Sequence, residues 1–148
     1  MARQRGPIAL YGATGYTGRL VAKELTDAGA DFVLSGRSQA KLEALAEELG
    51  RSAPCHSASI ENPDSLRSLL ADCAVVIDCA GPFTTLGEPV LKAAIETSTH
   101  YLDTTGEQGY MNLVFKRYGA EAERNRVAAI PAMGFDYVPG DMIASLSA

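Results

Sequence analysis

A doubly wound α/β fold is the fold class this sequence predicts: one parallel sheet of six strands in the order 3-2-1-4-5-6, with helices on both faces. Three observations predict it. Short apolar runs alternate with amphipathic helical patterns from Ile8 to Leu146. A central run, Ala74-Val-Val-Ile-Asp-Cys79, reads as a strand buried between two helical layers, with apolar residues on both faces. A loop of spaced glycines, Gly12-Ala-Thr-Gly15-Tyr-Thr-Gly18, joins the first apolar run to the first helical pattern.

Each element has its own local reason. Ile8-Ala-Leu-Tyr11 is the first strand, and residues 15–28 form the first helix, stopped by Gly29. Asp31-Phe-Val-Leu-Ser35 is the second strand. Ser38 stands where a helix cap is wanted, ahead of Leu42, Leu45, Ala46 and Leu49 at helical spacing, and Gly50 ends that helix. The third strand falls around residues 53–57. Asn62-Pro63-Asp64 is a cap, a first-turn proline and a first-turn acid. They open a helix with Leu66, Leu69, Leu70 and Cys73 on one face. After the central strand, Gly81-Pro82 breaks the run, and a helix is expected over residues 87–97. His100-Tyr-Leu-Asp-Thr104 is the fifth strand. A helix carrying Met111, Val114, Phe115 and Tyr118 runs on to about Asn125, and Val127-Ala-Ala-Ile130 is the sixth strand. A last helix is expected to begin at Gly140.

Composition narrows the function. The 148 residues suit one domain, spanning 1–148, in which roughly 70% of the unfolded surface can be buried. A net charge of −5 argues against a nucleic-acid module, which needs a basic surface to neutralise phosphate. The basic start, Met1-Ala-Arg-Gln-Arg5, precedes an apolar run too short for a signal peptide, and no stretch approaches the ~20 apolar residues that cross a bilayer. Cys55, Cys73 and Cys79 are odd in number and lack a CxxC spacing. They read as reduced core residues of a cytoplasmic protein with no metal site.

The glycine loop carries the first functional signal. Gly12 permits a sharp turn out of the strand. Gly15 leaves room for backbone N–H groups to reach a pyrophosphate, and Gly18 lets the helix pack closely on the sheet. Ala13 and Tyr16 complete the loop, Thr14 and Thr17 offer hydroxyl donors, and the helix N-terminus adds a positive dipole end. Together these predict a Rossmann-type site for a nicotinamide dinucleotide. At the end of the second strand an NAD site carries Asp or Glu. This chain has Ser35-Gly36-Arg37-Ser38 instead, with Lys41 one turn on. Arg37 can fork onto a 2′-phosphate and Ser38 can donate a hydroxyl, which favours NADP over NAD. Cys79-Ala80-Gly81-Pro82-Phe83 ends the central strand. Gly81 permits close approach, and Pro82 and Phe83 read equally as an apolar wall for the nicotinamide half or as a strand-ending turn with a core phenylalanine.

The glycine loop, Ser-Gly-Arg-Ser, "CAGPF", "GEPVLKAAIETSTHYLDTTGE" and "PAMGFDYVPGD" occur in this order. Together they resemble the saccharopine dehydrogenase-like oxidoreductases, a broad family that includes saccharopine reductases and the trans-acting enoyl reductases of lipid biosynthesis. The resemblance covers residues 8–141. It implies an NAD(P)-binding Rossmann domain whose cofactor-lining positions match Gly12 to Gly18, Arg37, Ser38, and Gly81 to Phe83. Family enzymes continue into a second α/β domain that completes the substrate cleft, whereas this chain stops at Ala148. The resemblance therefore implies that the substrate domain is absent, and that the chain alone binds cofactor without turnover.

His100, Tyr101, Asp103 and Glu107 gather at the fifth strand, with Asp136 and Tyr137 after the sixth. A general acid can be drawn from this set, or the same groups can hold loops in place. Two rival classes stand beside the oxidoreductase reading. One is a non-catalytic NADP-sensing module of the short-chain dehydrogenase kind, since no tyrosine here is followed by lysine four residues on. The other is a structural domain with no cofactor. An apolar C-terminal segment containing Met142, Ile143 and Leu146 also suggests a homodimer, through it or through the helix around residues 108–125.

Overall fold

The computed structural model describes residues 6–50 and 52–148; the basic start, residues 1–5, lies outside them. Six parallel strands form one sheet: β1 (Ile8–Tyr11), β2 (Phe32–Gly36), β3 (Cys55–Ser57), β4 (Val75–Asp78), β5 (His100–Asp103) and β6 (Ala129–Ile130). Their order is β3-β2-β1-β4-β5-β6, the reversal falling between β1 and β4 as expected. The helices are α1 (Tyr16–Asp27), α2 (Gln39–Glu48), α3 (Pro63–Leu70), α4 (Phe83–Glu96), α5 (Gln108–Leu113), α6 (Gly119–Arg124) and α7 (Tyr137–Ser147).

The strand period of two sorts the core into two layers. Leu10, Phe32 and Leu34 pack with Ala22 of α1 and with Leu42 and Leu45 of α2. Ala9, Tyr11, Val76 and Tyr101 face the other way. They pack with Leu66 and Leu70 of α3, Val90, Leu91 and Ile95 of α4, and Tyr110 of α5. Burying each large apolar side chain fully contributes roughly 1.5–3 kcal/mol. One row of this second face is polar. Register places Ser35, Tyr11, Asp78 and Asp103 side by side across β2, β1, β4 and β5, at their carboxyl ends.

The caps explain the boundaries. Asn62 caps α3 by accepting from the Ser65 N–H, with Pro63 in the first turn. Gly29 and Gly50 follow α1 and α2 with φ near +63°, the left-handed conformation that glycine adopts without a Cβ clash.

Three elements differ from the sequence expectation. The fourth helix starts at Phe83, four residues before Gly87, with Pro82 as its N-cap and Pro89 inside it. Pro89 suits a first turn, which is why local sequence points to the later start. The peptide bond between Gly81 and Pro82 is cis. The fifth helix is split by a π-helical turn at Val114–Tyr118. Tyr110, Val114, Tyr118 and Ala122 are buried at steps of four residues, and Phe115 is exposed. Steps of four drift off one face of a 3.6-residue helix, and the wider π turn brings them back. The last helix begins at Tyr137, three residues before Gly140.

Candidate functional site

The carboxyl ends of β1, β2 and β4 surround a cavity of about 340 Å³. Gly12, Thr14 and Gly15 form its floor, Gly36 and Arg37 one side, and Cys79, Ala80, Gly81 and Leu86 the other.

Each glycine of the loop has a visible task. Gly12 has φ +76°, and a Cβ there would lie 2.8 Å from the Ala80 nitrogen. A Cβ on Gly18 would stand 2.2 Å from the Gly12 carbonyl oxygen, so α1 crosses the turn at a distance only glycine allows. Gly15 is different. It is the N-cap of α1 with φ −75° and ψ 173°, a conformation open to any residue. The nearest atom to a Cβ there is the Gly12 oxygen at 3.4 Å, within its own turn. The space above Gly15 is therefore unfilled by protein. No side chain caps α1 and no acid stands in its first turn. A cradle of this shape at the start of a helix, where first-turn N–H groups have no intrahelical acceptor, fits an anionic ligand such as a pyrophosphate.

The other expected residues fall into two groups. Arg37 is exposed at the cavity wall and forms no ion pair among the described residues. Ser38 is the N-cap of α2, and its hydroxyl makes no cap hydrogen bond. Tyr16 is exposed and Thr17 half-buried at the start of α1, while Ala13 is buried in the core. Pro82 is exposed as the N-cap of α4. Phe83 is buried, its ring 5.8 Å from that of Tyr110, a packing compatible with both readings of this residue.

Sequence reasoning missed Tyr11, Leu86 and the segment Ser59-Ile60-Glu61, which also line the cavity. The signal was topological. β3 lies beside β2, so the residues just past β3 reach the same edge as Arg37. They are folded back there by the Ser65 hydroxyl, which accepts from the Ser59 N–H at 3.0 Å and donates to the Asn62 carbonyl at 2.6 Å. A larger open hollow of about 590 Å³ lies beside α2 and β3. Glu43 and Glu47 line it and no described cation does, so it does not suit a phosphate ligand.

Beneath the cavity the polar row is hydrogen-bonded except at Asp103 Oδ2, which is buried without a hydrogen-bond partner among the described residues. Asp78 Oδ1 accepts the Ala80 N–H at 2.9 Å, and Oδ2 lies 3.4 Å from the Tyr101 hydroxyl, itself 2.9 Å from the Tyr110 hydroxyl. Burial pushes the Asp78 carboxyl well above the usual range, and neighbouring Asp103 adds to the rise against the Ala80 N–H. Asp103 Oδ1 accepts the N–H groups of Thr105 and Ala132, both at 2.9 Å. Burial also raises this carboxyl, and the Ala132 and Thr105 N–H groups oppose the rise. Cys79 is pushed up to about 12 by burial, with Asp78 and Asp103 adding, and stays a neutral thiol.

The candidate acids are engaged elsewhere. Glu107 accepts from the N–H groups of Phe83 and Thr84 and from the Thr84 hydroxyl. The Thr84 donors, with Phe83, hold it below the usual glutamate range, so near neutral pH it is an anion with no proton to give. His100 Nδ1 accepts the Ala128 N–H at 3.0 Å and joins β5 to β6. Tyr101 lies in the buried network. The Tyr137 hydroxyl donates to the Gly106 carbonyl at 3.0 Å, and Asp136 is exposed at the start of α7. Among the described residues no group of three or more His, Cys, Asp or Glu is placed to hold a metal ion, and no helix is long and apolar enough to cross a membrane.

Residues 8–130 match the family model described as the saccharopine dehydrogenase NADP binding domain. The chain belongs to this family. A Mycobacterium tuberculosis protein provisionally named a trans-acting enoyl reductase is 38% identical over 140 residues, covering 91% of this chain and 33% of that protein. A saccharopine dehydrogenase-like oxidoreductase of Bos taurus is 34% identical over 163 residues, covering 96% of this chain and 38% of its own length. The apo saccharopine dehydrogenase (L-Glu forming) of Saccharomyces cerevisiae shares the fold. Its TM-score is 0.70 at 24% identity, over 88% of this chain and 28% of that one. The chain thus spans about a third of the length of the curated relatives it matches.

In this saccharopine dehydrogenase NADP-binding domain, Asp78 makes stability depend on pH. Its folded value lies above the unfolded one, so proton uptake favours folding. That contribution is full below the unfolded carboxylate value of about 4 and is lost as pH rises through the raised folded value. Asp78→Asn keeps an acceptor for the Ala80 N–H and cannot ionise. Its urea midpoint should gain on the wild type steadily as pH rises from about 4. Parallel midpoint profiles for the two proteins would show that Asp78 does not titrate as described.

Proposed function

We propose that the cavity holds NADP(H), with Arg37 reading the 2′-phosphate, in an oxidoreductase that passes hydride to or from a substrate. The observation that carries this is Arg37 itself. It follows β2 directly, lines the cavity, pairs with no carboxylate among the described residues, and stands where an NAD site has an acid. Gly12, Thr14 and Gly15 take the pyrophosphate at the start of α1, aided by Thr17 and the first-turn N–H groups of Tyr16 and Gly18. Ala13 and Gly18 hold the turn in shape, Ser38 supports the phosphate beside Arg37, and Gly81 to Phe83 bound the nicotinamide half. The bound dinucleotide supplies the hydride; the chain's residues bind and orient it.

Calorimetric titration with NADPH and NADH tests both ends of this site. A charge-assisted contact is worth about 1.5–3 kcal/mol, so Arg37→Ala should weaken NADPH by roughly 10- to 100-fold and leave NADH little changed. Gly15→Val should fold, because Gly15 has an ordinary φ and open space above it, yet bind neither dinucleotide. Equal wild-type affinity for the two cofactors would refute the role of Arg37. Unchanged binding by Gly15→Val would refute the cradle.

The names of the relatives favour an enoyl or saccharopine-type substrate. The chain binds cofactor in the cytoplasm without turnover, because none of the candidate acids is among the described residues that line the cavity. Steady NADPH oxidation by the purified chain with such substrates would contradict this.

The chain also self-associates, most simply as a two-fold dimer. No residue of α7 is buried, and Met142, Ile143 and Leu146 are 58%, 65% and 86% exposed. Phe115, 64% exposed between α5 and α6, offers a second apolar contact. Light scattering should give the mass of a dimer at micromolar concentration; a monomer throughout contradicts it.

A further inference from the structure

We propose that Glu107 is a positioning residue for the dinucleotide: it clamps the loop between β4 and α4 against the cavity and so sets affinity for the nicotinamide half. The proposal rests on the reading of the cavity as a dinucleotide site.

Glu107 stands at the N-cap position of α5, yet its carboxylate does not cap that helix. It reaches across to α4. Oε1 accepts the Phe83 N–H at 2.6 Å, and Oε2 accepts the Thr84 N–H at 2.8 Å together with the Thr84 hydroxyl. These N–H groups belong to the first turn of α4, which no local side chain satisfies. The carboxylate also meets the positive end of a fourteen-residue helix. Glu107 is itself held from behind. Its N–H donates to the Thr105 hydroxyl at 3.0 Å, and the Thr105 N–H donates to Asp103 at 2.9 Å. The motif Asp103-Thr-Thr-Gly-Glu107 thus serves as a bracket rather than as a proton donor.

The bracket acts on the cavity through what it holds. The segment from Cys79 to Pro82 is fixed at one end by Asp78, which accepts the Ala80 N–H. Glu107 fixes the other end. Between them lie Ala80 and Gly81, and one turn further along α4 lies Leu86; all three line the cavity. Removing the Glu107 carboxylate frees the second end, and the cavity loses a fixed wall on the β4 side.

The effect is confined to one half of the ligand. Arg37 and the Ser59-Ile60-Glu61 segment lie on the β2 and β3 side of the glycine loop, and the clamped segment lies on the β4 side. A dinucleotide with its pyrophosphate on the loop sends one half each way. The half bearing the 2′-phosphate goes to Arg37, and the nicotinamide half meets the clamped wall.

Titration of the whole chain with two probes tests this, NADPH and adenosine 2′,5′-bisphosphate, which carries the phosphorylated half alone. Glu107→Ala should bind NADPH about tenfold more weakly, the scale of one lost set of charge-assisted hydrogen bonds. It should bind the bisphosphate within about twofold of wild type, since those contacts are untouched. Glu107→Gln, which keeps one acceptor oxygen and the same shape, should show the same selective loss at about threefold. It also carries the test if the alanine variant does not fold. Undiminished NADPH affinity in both variants overturns the proposal, and so does an equal loss for both probes, the mark of a merely structural role. A wild-type chain that binds neither probe overturns the dinucleotide reading itself, and the clamp with it.

Discussion

Three backbone segments meet at one point, and the rest of the architecture is arranged around that contact. The Gly12 carbonyl lies where a Cβ on Gly18 would be, and the Ala80 nitrogen lies where a Cβ on Gly12 would be. The turn out of β1, the first turn of α1 and the loop leaving β4 therefore touch backbone to backbone. No side chain fits between them. This approach closes the floor of the cavity, and it also brings the N-terminus of α1 to the seam where the strand order reverses.

The polar row below that floor has the opposite character. Tyr11, Asp78 and Asp103 lie in register and are almost fully buried, where uncompensated carboxylates are costly. Compensation comes mainly from backbone N–H groups: Ala80 for Asp78, and Thr105 and Ala132 for Asp103. Each of these donors belongs to a loop at the carboxyl edge. The buried acids thus trade a desolvation cost for defined loop geometry, and that geometry is the shape of the cavity.

Much of this was legible in the sequence, and the limits are instructive. The alternation of strands and helices, the strand order and the turn at Gly12 follow from spacing and from the special properties of glycine. Arg37 was legible because the residue after β2 is fixed by the strand itself. The start of α4 was not, because its cap is Glu107, 24 residues downstream and on another element. Local rules for helix starts read only neighbouring residues, so they favoured Gly87 with Pro89 in the first turn. The π turn was hidden for a related reason. A stripe at steps of four, from Tyr110 to Ala122, resembles an ordinary amphipathic helix until the packing forces the phase. Ile60 and Glu61 were missed because their place in the cavity depends on a three-residue strand, the shortest of the four on the cavity's side of the sheet.

The bracket around Asp103 has a consequence for how the molecule opens. It ties together residues 83–84, 103–107 and 132, segments distant along the chain, through carboxylates that each hold two or more donors. Loosening any one of them alone takes a donor from a carboxyl oxygen that another segment also holds or supplies. The shared acceptors join them into one bracket, whereas the glycine turn is held by close backbone packing and by its own bonds, from the Ala13 N–H to Ser35 and from the Gly15 N–H to Gly12. The β4 wall is thereby joined to the stretch around Ala132 that leads into α7. The route from α7 to that wall runs through Ala132, Asp103, Thr105 and Glu107, each bonded to the next.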